Sequence, residues 1–360
     1  MLKKFHCFAI DVFNNKEWFF TSRPNISSLL KKLENLSLDK SLFRICYEAG
    51  YIGYTLQRDL KANAYECQIV APSLIPKLKG KMVKTDRVDC KKLAWMYMKG
   101  LLTPINVPEI DDEMVRDLIR TRMYLQEKLR GLKKHILALC RRMNINFKQE
   151  TGLLSYWTLT HLKWLDVNIK KQNHVLKFNL CMLLKDYHNY NKTINLYDEE
   201  ILKISLDDMY LEKVQSLICY RGLDTISAMS LVCELGDIKR FSHPKKLISY
   251  IGFDIREYSS GGRETKFGIT KIGNKSMRKT LIQACQKAIQ SPRISAKLKR
   301  RRKSVAQKYI DISDRCMKRL NQKGIRLIYR GKHTNKVKTA CAREMIGFIW
   351  ESLNLVQASL

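Results

Sequence analysis

From Phe5 to about Pro108, short runs of β-branched and aromatic residues take turns with stretches of helical period. That alternation restricts the first third of the chain to an α/β layer architecture. The expected order is a strand ending at Val12, a strand from Trp18 to Thr21, a helix from Ile26 to Leu36 and a strand from Leu42 to Tyr47. A helix from Ile52 to Leu60 and a strand from Cys67 to Val70 follow, then a basic turn and a helix running from Asp86 through Met98. Pro104 and Pro108, with Asp111 and Asp112 behind them, close this zone and supply start signals for the next helix.

Beyond that boundary the period changes. Val115, Leu118, Arg122, Leu125, Leu129, Leu132, Ile136 and Met143 recur at threes, fours and sevens with no proline between them, the pattern of a helical hairpin or coiled coil. Periodicity alone leaves packing within the chain and dimerisation equally open. Residues 152–211 read as helices with loops. From about Val214, Leu217, Tyr220, Gly222, Leu223, Ala228 and Leu231 fit a helix-hairpin-helix element whose turn offers backbone N–H groups to a phosphate. Asp224 stands where a second glycine is usual, and its charge opposes phosphate, so a purely structural hairpin stands beside that reading.

Within this frame four carboxylates draw attention. Asp11 and Glu48 each sit in or at the end of an apolar strand run, where an unpaired charge is costly. Asp86 and Asp89 are three residues apart on one helical face. Converging acids repel unless a cation lies among them, and hard oxygen ligands select Mg²⁺ or Mn²⁺ over zinc. Metal-assisted phosphodiester chemistry is the functional expectation. The structural alternative is a turn or cap aspartate and a solvated acidic face. Lys84, Arg87, Lys91 and Lys92 flank the Asp pair with charge that suits phosphate and equally suits salt bridges.

A second candidate lies in Tyr258-Ser259-Ser260-Gly261-Gly262-Arg263, read as a pliable loop whose hydroxyls approach a phosphate, or as a mere connector. Arg256, Arg263, Lys271, Arg278 and Lys279 surround it in sequence and the nearest histidine is His243, so a reacting serine must be activated through space. The run from Lys297 to Lys303, with Arg300, Arg301 and Arg302, is a solvated face or a patch for a nucleic-acid backbone.

Charge narrows the class of partner. A formal net charge of +33, spread along 360 residues with 45% hydrophobic content, belongs to a folded protein with a polyanionic ligand, and nucleic acid fits better than a membrane. No run of eighteen apolar residues occurs and Met1-Leu2-Lys3-Lys4 leads into a strand with no signal-peptide core, so a cytoplasmic protein is expected. Eleven cysteines without a Cys-x-x-Cys pair point to reduced thiols and away from zinc.

Taken together, several motifs carry a family resemblance. Ala9-Ile10-Asp11-Val12, Tyr47-Glu48-Ala49-Gly50, Lys84-Thr85-Asp86-Arg87-Val88-Asp89-Cys90-Lys91-Lys92-Leu93-Ala94, and Ser259-Ser260-Gly261-Gly262 with Ile269-Thr270-Lys271-Ile272-Gly273-Asn274 resemble the DEDD transposases of the insertion-sequence 110 family, relatives of the Piv invertases. The resemblance implies a RuvC-like domain of the RNase H fold over residues 1–108 and a helical coiled-coil segment over 109–211. It implies a mainly α transposase domain with the serine loop over 212–360. It implies Asp11, Glu48, Asp86 and Asp89 as metal-binding acids and Ser260 as a nucleophile that forms a phosphoserine link to DNA. The partners implied are double-stranded DNA, a structured guide RNA encoded by the element, and further copies of the chain in a dimer or tetramer. An Mg²⁺-dependent junction resolvase using the acids without the serine, and an inactive nucleic-acid-binding remnant, are the alternative readings.

Overall fold

The computed structural model describes residues 4–76, 85–260 and 263–358, and the chain divides into two compact units, Met1–Glu109 and Ile110–Leu360. In the first unit the elements are β1 (Phe5–Ile10), β2 (Glu17–Ser22), α1 (Ile26–Glu34), β3 (Arg44–Glu48), α2 (Thr55–Ala62), β4 (Glu66–Val70) and α3 (Asp86–Met98). Each expected strand and helix is present, shifted by a few residues at its ends. The β1–β2 pair is antiparallel, with Phe5 opposite Ser22 and Ile10 opposite Glu17. The β3–β4 pair is parallel, and among the described residues no ladder joins the two pairs into one sheet. The unit is therefore α/β, with two small sheets among the described residues.

Its core forms where α1 and α2 cover the sheets. Asn25 caps α1 by accepting from the Ser28 amide at 2.8 Å, which sets the helix phase so that Leu29 and Leu33 point inward. They meet Leu60, Tyr65 and Cys67, and each leucine is worth roughly 1.5–3 kcal/mol when fully withdrawn from water. After α3 the chain returns beside β4, with the Ile105 amide donating to the Ile69 carbonyl at 2.8 Å.

The second unit is helical apart from one hairpin. It contains α4 (Ile110–Arg142), α5 (Phe147–Thr151), α6 (Leu159–Lys170), α7 (His174–Ile204), α8 (Asp208–Ile218), α9 (Thr225–Leu235) and α10 (Pro244–Ile251). The hairpin strands β5 (Ile255–Ser260) and β6 (Arg263–Ile269) come next, followed by α11 (Lys275–Ala284), α12 (Ala296–Arg301), α13 (Gln307–Tyr329) and α14 (Thr334–Ala358). Most of the long apolar stripe of α4 packs within the chain, while Met143, just past the helix end, is exposed. Leu129, Ile136 and Leu139 pack with Leu180, Leu184 and Ile194 of α7, and the Arg122 guanidinium forks onto Asp198 at 2.7 and 3.1 Å. A larger core joins α8, α9, α11, α13 and α14 through Leu217, Leu231, Leu281, Ile312, Val337 and Ile346. All eleven cysteines are free thiols. Among the described residues no helix is long and apolar enough to cross a membrane.

Candidate functional site

Asp11 follows the last residue of β1 and closes the β1–β2 connection. Its carboxylate accepts from the Phe13 amide at 2.9 Å, the Asn14 amide at 3.2 Å and the Asn14 side chain at 2.9 Å, while its own amide donates to the Lys16 carbonyl. The Asn14 side chain and then these amides hold the Asp11 carboxyl below its ordinary pKa. Glu48 ends β3 with its side chain exposed. Asp86 and Asp89 occupy the first turn of α3, where Thr85 caps the helix and the N-terminal dipole favours negative charge.

The packing of α3 decides whether these acids meet. Asp86 lies 3.4 Å from the His6 imidazole, and the Cys90 thiol donates to the His6 carbonyl at 3.1 Å. Further along the same helix, Lys91 pairs with Glu17 and the Trp95 indole donates to Glu17 at 3.1 Å. Glu17 sits opposite Ile10 in the hairpin, so α3 runs alongside β1 in the same direction. His6 and Asp11 are then five residues apart on an extended strand, about 16 Å at roughly 3.3 Å per residue. The structure keeps the Asp86/Asp89 pair at the start of β1 and Asp11 at its end. Among the described residues no group of three or more His, Cys, Asp or Glu side chains is placed to hold a metal ion. Asp11, Glu48, Asp86 and Asp89, expected to hold Mg²⁺ or Mn²⁺, do not form such a group among the described residues. Spacing puts two carboxylates on one helix face, whereas helix direction against the strand is set by distant partners such as Glu17.

The serine segment also departs from expectation. Tyr258, Ser259, Ser260 and Arg263 are strand residues rather than loop residues, with Ser259 opposite Glu264 and Ser260 opposite Arg263 in an antiparallel pair. Gly261 and Gly262 lie outside the described residues. Ser260 is thus the last residue of β5. Tyr258 and Phe267 are exposed on the hairpin, while its base is tied down: the Thr270 amide donates to Asp254 at 2.7 Å and the Lys271 amide to Gly252 at 3.1 Å.

The basic residues divide into two kinds. Arg87, Arg256, Lys271 and Arg300 are exposed, and Arg87 lies over the Phe19 ring at 5.3 Å. Lys279 pairs with Glu127 at 2.9 Å. Arg278, Arg301 and Arg302, expected to contact phosphate, turn inward. Arg278 donates to the Ile251 carbonyl at 2.7 Å and Arg301 to the Leu223 carbonyl. Arg302 is 8% exposed and reaches Asp314 at 2.7 Å, Ser313 at 2.8 Å and the Cys219 carbonyl at 3.1 Å. Leu298 anchors α12 in the core and thereby rotates the next turn's arginines inward, a constraint that a run of like charges conceals. Lys84 lies outside the described residues, and Arg263 opens β6.

This division makes a prediction. Arg302→Ala is expected to cost about 2–3 kcal/mol of stability, since it strips a buried network of its donor. Arg300→Ala is expected to stay within about 0.5 kcal/mol in a chemical denaturation series. Equal stability of the two variants would contradict the assignment.

The helix-hairpin-helix turn is likewise occupied from within. A Cβ on Gly222 would fall 2.3 Å from the Ala284 carbonyl oxygen, so that backbone faces α11 rather than a ligand. Asp224 caps α9 by accepting from the Ser227 amide at 2.9 Å and hydroxyl at 2.7 Å, which consumes the helix N-terminus a phosphate would use. Sequence reading passed over Glu234. Its signal is a lone acid in the otherwise apolar end of α9.

Comparison with known proteins now bears on these features. Residues 215–300, from α8 through the serine hairpin to α12, match the profile described as Transposase IS116/IS110/IS902 family. The chain is 32% identical over 306 residues to "Putative transposase y4qE" of Sinorhizobium fredii, covering 85% of this chain and 74% of that one. It is 32% identical over 228 residues to the transposase for insertion sequence element IS1533 of Leptospira borgpetersenii, covering 61% and 64%. It is 25% identical over 281 residues to the transposase for IS1111A of Coxiella burnetii, covering 75% and 72%. The class is that of mobile-element transposases. Within it, the chain belongs to the IS116/IS110/IS902 transposase family.

Proposed function

We propose that this chain cuts and exchanges double-stranded DNA as the transposase of an insertion sequence, through a covalent link between Ser260 and a DNA phosphate. The observation that carries this reading is the placement of Ser260 as the last strand residue of a hairpin that carries exposed Arg256. Exposed Lys271 stands at the base of that hairpin. A serine that ends a strand of a hairpin with a fixed base is suited to act as a nucleophile, and the exposed cations draw the phosphodiester backbone toward that strand. The net charge of +33 supports a polyanionic substrate over more than one contact. A structured RNA supplying target choice, and assembly into a dimer or tetramer, complete the reading by family resemblance. Among the described residues no three or more His, Cys, Asp or Glu side chains gather to hold Mg²⁺ or Mn²⁺.

The test is incubation of the full chain with labelled DNA of the element's ends, the element's RNA and Mg²⁺, resolved by denaturing electrophoresis. Labelled DNA migrating with the protein is expected, and it should disappear when the RNA is left out. Free 5′-phosphate ends with no protein-linked strand would instead identify a nuclease or junction resolvase.

A further inference from the structure

In α9, residues 228–235 are all buried, and Glu234 is the charged side chain among them, at 5% exposure. A carboxylate withdrawn from water to that degree destabilises the fold unless its oxygens are fully engaged. Both are. The Arg120 guanidinium of α4, which also lies 3.8 Å from Asp117, forks onto Glu234 with Nε to Oε1 at 2.8 Å and a terminal nitrogen to Oε2 at 2.9 Å. The Asn274 amide donates to the same Oε2 at 2.7 Å.

Asn274 gives that contact its meaning. Its other side-chain atom, Oδ1, accepts from the Met277 amide at 3.0 Å and caps α11, so the amide group is held in one orientation. The residue stands at the end of the leg that leaves β6, four residues after the Thr270–Asp254 bond and three after the Lys271–Gly252 bond. One carboxylate therefore joins α4, α9 and the base of the hairpin that carries Ser260. The Tyr250 hydroxyl, just before the opposite leg, reaches the Glu234 carbonyl oxygen at 3.5 Å.

We propose that Glu234 is a positioning residue: through Asn274 it fixes the stance of the β5–β6 hairpin, and through Arg120 it ties that stance to α4. Only the catalytic consequence rests on the reading of Ser260 as nucleophile. Hairpin order is independent of it.

Two variants of the full chain test this. Glu234→Gln removes the charge that Arg120 needs. Asn274→Ser keeps an N-cap hydroxyl for α11 and cuts only the link to Glu234, so it serves where the first variant folds poorly. Hydrogen exchange followed by mass spectrometry is expected to show amides of residues 255–269 exchanging about tenfold faster, with α13 and α14 unchanged. Single-turnover adduct formation should fall about tenfold or more at unchanged half-saturating DNA, because a misplaced nucleophile loses rate rather than affinity. Unchanged hairpin exchange in Asn274→Ser, or an increase spread evenly over the second unit, overturns the proposal. Faster hairpin exchange in a protein whose parent forms no adduct leaves Glu234's role standing and removes the serine reading instead.

Discussion

Ser260→Ala is expected to abolish the protein–DNA adduct, a loss of at least about a thousandfold in yield, the scale on which removal of a covalent nucleophile is felt. In the proposed reaction the serine oxygen forms a bond to phosphorus while the bond to the 3′-oxygen breaks, and the serine proton ends on that oxygen, leaving a 3′-hydroxyl and a phosphoserine ester. That ester conserves the energy of the phosphodiester, so a 3′-hydroxyl from another strand can displace the serine without an external energy source. Water in place of the serine would release that energy, which is why a strand-exchanging enzyme and a nuclease differ at this one atom. DNA affinity should change little, because the loss of a neutral hydroxyl leaves the cations that hold the backbone in place. Ser259→Ala, one residue earlier on β5, is the control and should form adduct normally. Adduct lost in Ser259→Ala and kept in Ser260→Ala would move the nucleophile to the neighbouring residue.

The elements of the first unit were legible because each is set by its own burial period. Leu29 and Leu33 mark α1, and Cys67, Ile69 and Val70 mark β4, without reference to distant residues. Strand partnership was not legible, since β1–β2 and β3–β4 pair through backbone groups that every residue carries. The acids show the same limit. Their positions at strand ends and a helix start followed from pattern, but the direction of α3 depends on Glu17 meeting Lys91 and Trp95 across more than seventy residues. In the second unit, serine and glycine content spoke for a loop around Ser260. The residues form strands because their backbones pair in register, Tyr258 with Thr265 and Ser260 with Arg263, a pairing invisible to composition. The family motif around Asn274 was visible as a string of residues, while its use as the link between Glu234 and the α11 cap required coordinates.

Gly273→Ala is the second substitution with a large expected effect, and it acts without touching any reacting group. Gly273 has φ of 135°, a backbone state that side chains rarely adopt. A Cβ there would lie 2.2 Å from the Tyr250 carbonyl oxygen and 2.9 Å from the Ile251 carbonyl carbon, both backbone atoms that cannot swing aside. Backbone strain and overpacking together should cost about 3 kcal/mol or more. In a unit of this size that lowers the melting temperature by roughly 6 °C or more. Relief requires the 270–274 leg to withdraw from the 250–254 leg, and doing so gives up the Lys271–Gly252 and Thr270–Asp254 bonds and strains the Asn274–Glu234 contact. The hairpin should then exchange its amides faster and form adduct more slowly than DNA affinity alone accounts for. Gly268→Ala supplies the contrast, because Gly268 lies within β6 and a Cβ there meets no atom within 4 Å. It should stay within about 0.5 kcal/mol of the parent. Equal melting temperatures for the two variants would mean that the hairpin's base bears no strain at Gly273, and the fixed presentation of Ser260 would lose its structural footing.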